Sequence, residues 1–182
     1  MRINFYALRA IYFHEMDRFR RTLIQSLLSP VLSTSLYFIV FGSVIGDYVQ
    51  KIDGISYGSY IVPGLLMLTL LTQSISNTSF GIFFPKFNGT IYEILAAPIS
   101  TVEIVIAYVG AGATKTLIVA AVIFCTSLFF AEVNVKFPLL MIFLLILVAF
   151  TFALFGFLIG LLSKNFEQMS IIPVSYTHLR AH

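Results

Sequence analysis

Three long stretches of this 182-residue chain contain no charged side chain: residues 22–46, 54–85 and 137–163. They are 25, 32 and 27 residues long, whereas about 20 predominantly apolar residues are enough for an α-helix to cross a bilayer. Only 10% of the residues are charged and 59% are hydrophobic, while a soluble domain usually carries about 25% charged residues. The chain is therefore predicted to fold in a membrane, where each helix satisfies its own backbone polar groups.

A fourth apolar segment begins its helical pattern at Thr101 and ends just before Glu132. Its 31 residues would form a helix of roughly 46 Å at 1.5 Å per residue, which exceeds the ~30 Å hydrocarbon layer. Counting about 20 residues back from Glu132 places the membrane part from about Gly112 onward. We expect Lys115 to extend its amine to the near interface, and residues 101–113 to be covered by protein.

These segments together predict an all-α, polytopic transmembrane helical bundle. Its four full spans are expected at about residues 22–46, 60–84, 112–131 and 138–162, and a fifth span is expected to start at Met169. The apolar segment that begins at Met169 does not continue over residues 175–182, which contain two of the three histidines. We interpret residues 175–182 as a non-native tail and residues 1–174 as the membrane domain.

The orientation of the spans is predicted from Lys and Arg, which favour the cytoplasmic ends. If the spans alternate in direction, Lys51 and Lys136 lie on one side of the membrane. Leaving the tail aside, the other side carries eight basic residues: Arg2, Arg9, Arg18, Arg20, Arg21, Lys86, Lys115 and Lys164. The N-terminus is therefore predicted to be cytoplasmic.

The segment before the first span is predicted to be an interfacial amphipathic helix. Arg2, Arg9 and Arg20 lie roughly opposite an apolar stripe at helical spacing. That stripe consists of Phe5, Leu8, Ile11, Tyr12 and Phe19. Glu15 interrupts the stripe, so the amphipathic pattern is incomplete.

The segment "KFNGTIYEILAAPIS", residues 86–100, separates the second span from the fourth apolar segment. Four of its residues fall at i, i+3, i+4 and i+7 on one face of a short helix: Ile91, Ile94, Leu95 and Pro98. Pro98 is expected to end the helix, and either Asn88 or Thr90 to cap its start. Two interpretations remain open, a helix lying among the lipid headgroups and an element that transmits force to a cytoplasmic partner.

The second half of the second span is unusually polar. Thr69, Gln73 and Ser76 share one side of the predicted helix, and Asn77 follows directly. Polar groups in a membrane need partners, so this face is expected either to hydrogen-bond to other helices or to line a translocation path. Gly156 and Gly160 form a G-x-x-x-G pattern, which indicates close helix packing, either within one chain or across a dimer.

Four motifs in order along the chain resemble the membrane subunits of type 2 ABC exporters, the ABC-2 type permeases. They are "YIVPGLLML", "EILAAPIS", "AYVGAGATK" and "KNFEQMSIIP", and the resemblance extends from about residue 1 to Val174. It implies a domain of six spans, of which this chain has four and the start of a fifth. It also implies a pair of permease copies, usually a homodimer, docked on two separate ATPase subunits.

In that family the short helix after the second span is the coupling helix, which fits a cleft in the ATPase. Carried over to this chain, the resemblance implies ATPase-facing positions at Tyr92, Glu93, Ile94, Leu95 and Pro98. It implies that the interfacial helix is a second contact, with Arg18, Arg20 and Arg21 near the same surface.

The chain contains no G-x-x-x-x-G-K-[ST] loop, the motif that would cradle ATP phosphates. We therefore expect ATP and Mg²⁺ on a partner chain, and neither a bound cofactor nor catalysis on this one. The spans also contain no carboxylate cluster or histidine pair typical of a metal site or proton relay.

The leading hypothesis is the permease subunit of an ATP-driven exporter in a bacterial or archaeal cytoplasmic membrane. The alternative is a non-transporting membrane scaffold that docks a cytoplasmic partner. Drugs, lipids and polysaccharides are all compatible cargoes.

Overall fold

A computed structural model describes residues 4–45, 56–131, 133 and 135–169. Its helices are α1 (Phe5–Arg21), α2 (Leu23–Tyr37, which continues as a π-helix over Phe38–Ile45), α3 (Tyr57–Asn88), α4 (Ile91–Ala96), α5 (Thr101–Ser127) and α6 (Pro138–Leu162). Four segments are long and apolar enough to cross a membrane: Leu23–Phe41, Tyr57–Asn88, Thr101–Phe130 and Pro138–Leu162. The prediction of an all-α, polytopic helical bundle is confirmed. The predicted fifth span after Met169 and the predicted tail lie outside the described residues.

The spanning helices alternate in direction, so the bundle has two distinct ends. At the end that holds α1, the Lys86 amine donates to the carbonyls of Leu161 and Ser163 at 2.6 and 2.9 Å. This contact joins the last turn of α3 to the last turn of α6, whose final carbonyls have no partner within their own helix. At the opposite end, the Phe38 ring stacks on Phe130 beyond α5, with centroids 5.7 Å apart.

Glycines set the separation between α3 and its neighbours. A Cβ added to Gly156 would lie 2.5 Å from the Ile75 carbonyl oxygen, and one added to Gly160 would overlap the Ser79 carbonyl oxygen. The Ser79 hydroxyl also donates to the Gly156 carbonyl at 2.9 Å. The G-x-x-x-G pattern therefore packs α6 against α3 of the same chain, which answers the question that the sequence left open.

Helix α1 runs lengthwise along the first half of α5. Three pairs follow in the same order on both elements: the Asn4 amide with Glu103, the Tyr12 hydroxyl with Thr114, and Glu15 with Lys115. Most of residues 101–113 are thus covered by protein, as predicted, whereas Val102 and Ile106 are exposed. The face of α1 that meets the bundle carries Glu15 in its centre, whereas Phe5 is 71% exposed.

The Lys115 amine does extend towards the interfacial helix α1, but protein encloses it there. Lys115 is only 3% exposed, because its amine binds the Glu15 carboxylate at 2.7 Å inside the contact between α1 and α5. Glu15 is buried on the packed face of α1. It can lie there because Lys115 compensates its charge.

Candidate functional site

Helix α4 lies at the α1 end and presents most of its side chains to the outside. None of its residues is buried, and Tyr92 and Leu95 are 73% and 61% exposed. Ile91 and Ile94 pack against the hydrophobic core and hold the helix in place. The predicted apolar face is therefore divided, since Leu95 points away from the surface that its two isoleucines contact.

The turns on both sides of α4 are short and locally determined. Gly89 ends α3 with φ of 81°, a left-handed conformation that glycine adopts without steric cost. Thr90 occupies the N-cap position of α4, but its hydroxyl binds the Pro85 carbonyl at 3.4 Å instead of capping the helix. After α4, Ser100 and Glu103 form a capping box that starts α5, so only four residues separate the two helices.

A cavity of about 730 Å³ lies between α1, the end of α3, and α4. Glu93 and Ile94 line one side, and Arg18 and Arg21 line the other. The structure thus brings together two of the three arginines assigned to the interfacial helix with part of the predicted coupling helix. Arg20 does not line this cavity; it is exposed and lies 3.8 Å from Asp17.

The polar residues predicted on the second span line two further cavities on one side of α3. Thr69 and Gln73 line a cavity of about 190 Å³, and Ser76 and Asn77 line one of about 630 Å³. Thr69 donates to Leu65 of its own helix at 2.8 Å, and Asn77 donates to Gln73 at 3.3 Å. Among the described residues, none of the four forms a hydrogen bond with another helix.

A matching polar stripe on α2 lines the same two cavities and was missed in the sequence. Gln25 and Ser26 line the larger cavity, and Ser29 and Ser33 line the smaller one. With Thr22 at their start, these residues follow the i, i+3, i+4, i+7 spacing of one helix face. The same periodicity test that identified the stripe on α3 would have found this one.

A buried ion cluster connects α1 to α5 and was also missed. The Glu15 carboxylate binds the Lys115 amine at 2.7 Å and the Arg18 guanidinium at 2.8 Å. The cluster lies close to α3, because a Cβ added at Gly81 would lie 3.4 Å from the Glu15 oxygen, in ordinary van der Waals contact. Glu15 and Lys115 are 100 residues apart. The signals in the sequence are that Lys115 is an isolated charge among apolar residues and that Glu15 interrupts the apolar stripe of α1.

The part of the chain that the structure describes holds no group of three or more His, Cys, Asp or Glu side chains placed to bind a metal ion. Its free cysteine, Cys125, is exposed on α5.

Comparison with known proteins places these features in a family. The ABC-2 type transporter family matches residues 6–178. Similar proteins are the inner membrane transport permeases YadH of Escherichia coli strain K12, Escherichia coli O157:H7 and Shigella flexneri. Each is 37% identical over 173 residues, which cover 95% of this chain and 68% of the relative. No solved structure matches the chain. The chain, a multi-pass membrane protein with a short exposed helix between its second and third spans, belongs to the ABC-2 type transporter family.

Proposed function

We propose that this chain is the permease subunit of an ATP-driven exporter and that a separate ABC ATPase docks on α4. The observation that carries this proposal is the exposure of Tyr92, Glu93 and Leu95 on a helix held between two spans. The family membership supports the ATPase as the partner. The similar permeases are named for transport, which favours transport over a scaffold role.

The proposed orientation places the α1 end in the cytoplasm of a bacterial or archaeal cell. Of the described Lys and Arg residues, Lys136 lies at the opposite end and Lys115 lies within α5, paired with Glu15 of α1. All the others lie at the α1 end. Such an asymmetry is typical of a cytoplasmic side. ATP and Mg²⁺ would then be bound by the ATPase on the same side as α4.

Force applied to α4 would reach both α3 and α5. The chain passes from α3 to α4 through Gly89 and Thr90, and from α4 to α5 through four residues. Because these connections are short, α4 has little freedom to move independently of the spans. The pairs of α1 with α5 extend the same mechanical unit to the interfacial helix.

The polar cavities between α2 and α3 are the proposed path for cargo. Bonds within α3 use only part of the hydrogen-bonding capacity of their hydroxyl and amide groups, and water or cargo can satisfy the rest in a membrane. A second permease copy would complete the walls of this path, in agreement with the paired arrangement that is usual for the family.

Co-purification with the ATPase tests the docking proposal. The double variant Glu93→Arg/Leu95→Asp places a positive and a negative charge on the exposed face of α4, and we expect it to lose the ATPase. The matched control is Lys136→Glu, a charge reversal on an exposed residue at the opposite end, which should retain the ATPase. Equal recovery of the ATPase with the double variant and the wild type would contradict the docking role.

A further inference from the structure

The larger of the two polar cavities has a chemistry that the coupling role does not require. It measures about 630 Å³ and lies between the α1–α2 junction, α3 and α5. Its polar and charged lining includes Arg18, Gln25, Ser26, Ser76, Asn77 and Lys115. We name it the basic cavity, because the charged side chains among its described lining are two cations, with no carboxylate.

The two cations of the basic cavity share a single counter-ion. Glu15 binds both Arg18 and Lys115 through one carboxylate oxygen, which leaves an excess charge of one positive unit. An ammonium has three N–H donors and a guanidinium has five. Within the described residues, Glu15 is the hydrogen-bond acceptor of Lys115, so donors of both cations remain available to a ligand.

An excess positive charge is costly in a membrane protein unless an anion compensates it. Phosphate oxygens are suitable partners for Arg and Lys, which bind them through short charge-assisted hydrogen bonds. The side chains of Ser76, Asn77 and Gln25 add neutral donors around the same space. The lining therefore favours a phosphate-bearing anion over a neutral or cationic molecule.

The position of the cavity indicates that the anion belongs to an amphiphile. Thr22, where α1 gives way to the first span, lines the cavity together with the rings of Phe19 and Phe80. Thr22 thus places the cationic side chains at the level where a spanning helix begins, which is the headgroup level of a bilayer. The two aromatic rings provide an apolar wall for the adjoining hydrocarbon.

We propose that the basic cavity binds the phosphate headgroup of an anionic amphiphile. This inference rests on the proposed cargo path, because Ser76 and Asn77 belong to both. It adds a chemical class to that path: an anionic, phosphate-bearing lipid instead of a cationic drug.

Native mass spectrometry of the full chain, purified in a neutral detergent without the ATPase, tests the proposal. The probes are dioleoyl phosphatidylglycerol, dioleoyl phosphatidylcholine and inorganic phosphate. We expect phosphatidylglycerol to be retained in preference to phosphatidylcholine, whose choline adds a positive charge. Equal retention of the two lipids would overturn the proposal, and displacement of phosphatidylglycerol by an equal concentration of inorganic phosphate would assign the site to free phosphate.

Two pairs of variants locate the binding. Arg18→Gln removes the excess charge and should weaken phosphatidylglycerol retention about tenfold, the scale of one charge-assisted hydrogen bond. Its control is Arg20→Gln, on the same helix and outside the cavity lining, which should bind like the wild type. Ser76→Asp introduces a carboxylate at an exposed lining position and should also weaken binding, whereas Thr101→Asp, which introduces a carboxylate at an exposed position outside the lining, should not.

Equal effects of the two members of either pair would refute the assignment of the site. Because no ATPase is present, loss of lipid binding would leave the docking proposal untouched. Conversely, failure of docking in the α4 variants would not alter these lipid measurements.

Discussion

At the scale of single residues, buried charges determine how α1 is attached to α5. Glu15 is 2% exposed and Lys115 is 3% exposed, and each needs a partner because an isolated ion is costly to bury. Arg18 adds a second cation to the same carboxylate. The cluster therefore acts as a specific link between α1 and α5, which apolar contacts alone would not align.

Removal of one partner from this cluster should be more damaging than removal of two. Glu15→Gln leaves the buried Lys115 amine without the carboxylate that it binds, and we expect a loss of about 3–5 kcal/mol, the usual cost of breaking a buried pair. The double variant Glu15→Gln/Lys115→Met should recover most of that loss, because the remaining cation, Arg18, is partly exposed and can be solvated. Thermal unfolding in detergent, followed by circular dichroism, measures both. A double variant less stable than Glu15→Gln would contradict the pairing.

The polar side chains between α2 and α3 should be accessible to water. In a Cys125→Ala background, we expect Gln73→Cys to react with a water-soluble maleimide, because thiolates form in water and not in hydrocarbon. Leu147→Cys is the matched control, since Leu147 is 51% exposed on α6 and is expected to face lipid. Equal labelling rates at the two positions would contradict a water-filled path.

At the scale of secondary-structure elements, α3 is the central helix and its partners approach it through glycines. Gly112 of α5 lies against Thr78, whereas Gly156 and Gly160 of α6 lie against backbone atoms of α3. A backbone atom cannot rotate away as a side chain can, so any added carbon on α6 must separate the helices. Close contact of this kind drives helix association in membranes, where hydrophobicity gives no preference for protein over lipid.

Gly160→Ala should destabilise the bundle by about 1–3 kcal/mol, the typical cost of overpacking a core. The added methyl group would overlap the Ser79 carbonyl oxygen. The matched control is Gly64→Ala in α3, because a Cβ at Gly64 meets nothing within 4 Å. Gly64→Ala should be neutral or stabilising by up to about 1 kcal/mol through helix propensity. If Gly160→Ala and Gly64→Ala changed the unfolding temperature equally, α3 and α6 would not pack as described.

At the scale of the whole molecule, the alternation of four spans places α1, α4 and most of the basic residues at one end. The proposed ATPase docking and the proposed lipid binding both require that end to face the cytoplasm. The exposed aromatic Tyr92 and the basic Lys136 mark the two ends of the bundle.

Labelling of intact cells tests the orientation. In the Cys125→Ala background, we expect a membrane-impermeant maleimide to label Lys136→Cys and to leave Tyr92→Cys unlabelled until the cells are opened. The positive residues at the α1 end are the physical reason for this expectation. Labelling of Tyr92→Cys in sealed cells, with protection of Lys136→Cys, would reverse the topology and remove the basis for ATPase docking.

The boundaries of most elements could be predicted because local chemistry sets them. The span expected at 138–162 agrees with α6, which starts at Pro138, a residue favoured in the first helical turn. The span expected at 60–84 extends in both directions to Tyr57–Asn88. For α5, Ser100 and Glu103 of the capping box set the start, well before the membrane part inferred from hydropathy.

The candidate site could be predicted only in part. The exposed short helix at 91–96 and the polar stripe on α3 have local signatures, so they were found in the sequence. The basic cavity was not, because it requires Arg18 of α1, Gln25 of α2 and Lys115 of α5 to meet beside α3. The residue periodicity of one segment does not indicate which faces of different helices contact one another.

The amino-acid sequence by itself determined that this chain forms apolar helices of membrane-spanning length, where they turn, and which end is basic. These are properties of single segments, whose hydrophobicity and end residues act locally. Only the tertiary structure decided that Glu15 pairs with Lys115 and that Gly156 and Gly160 pack on α3. Such contacts depend on the rotation and separation of whole helices, which many side chains set jointly through close packing.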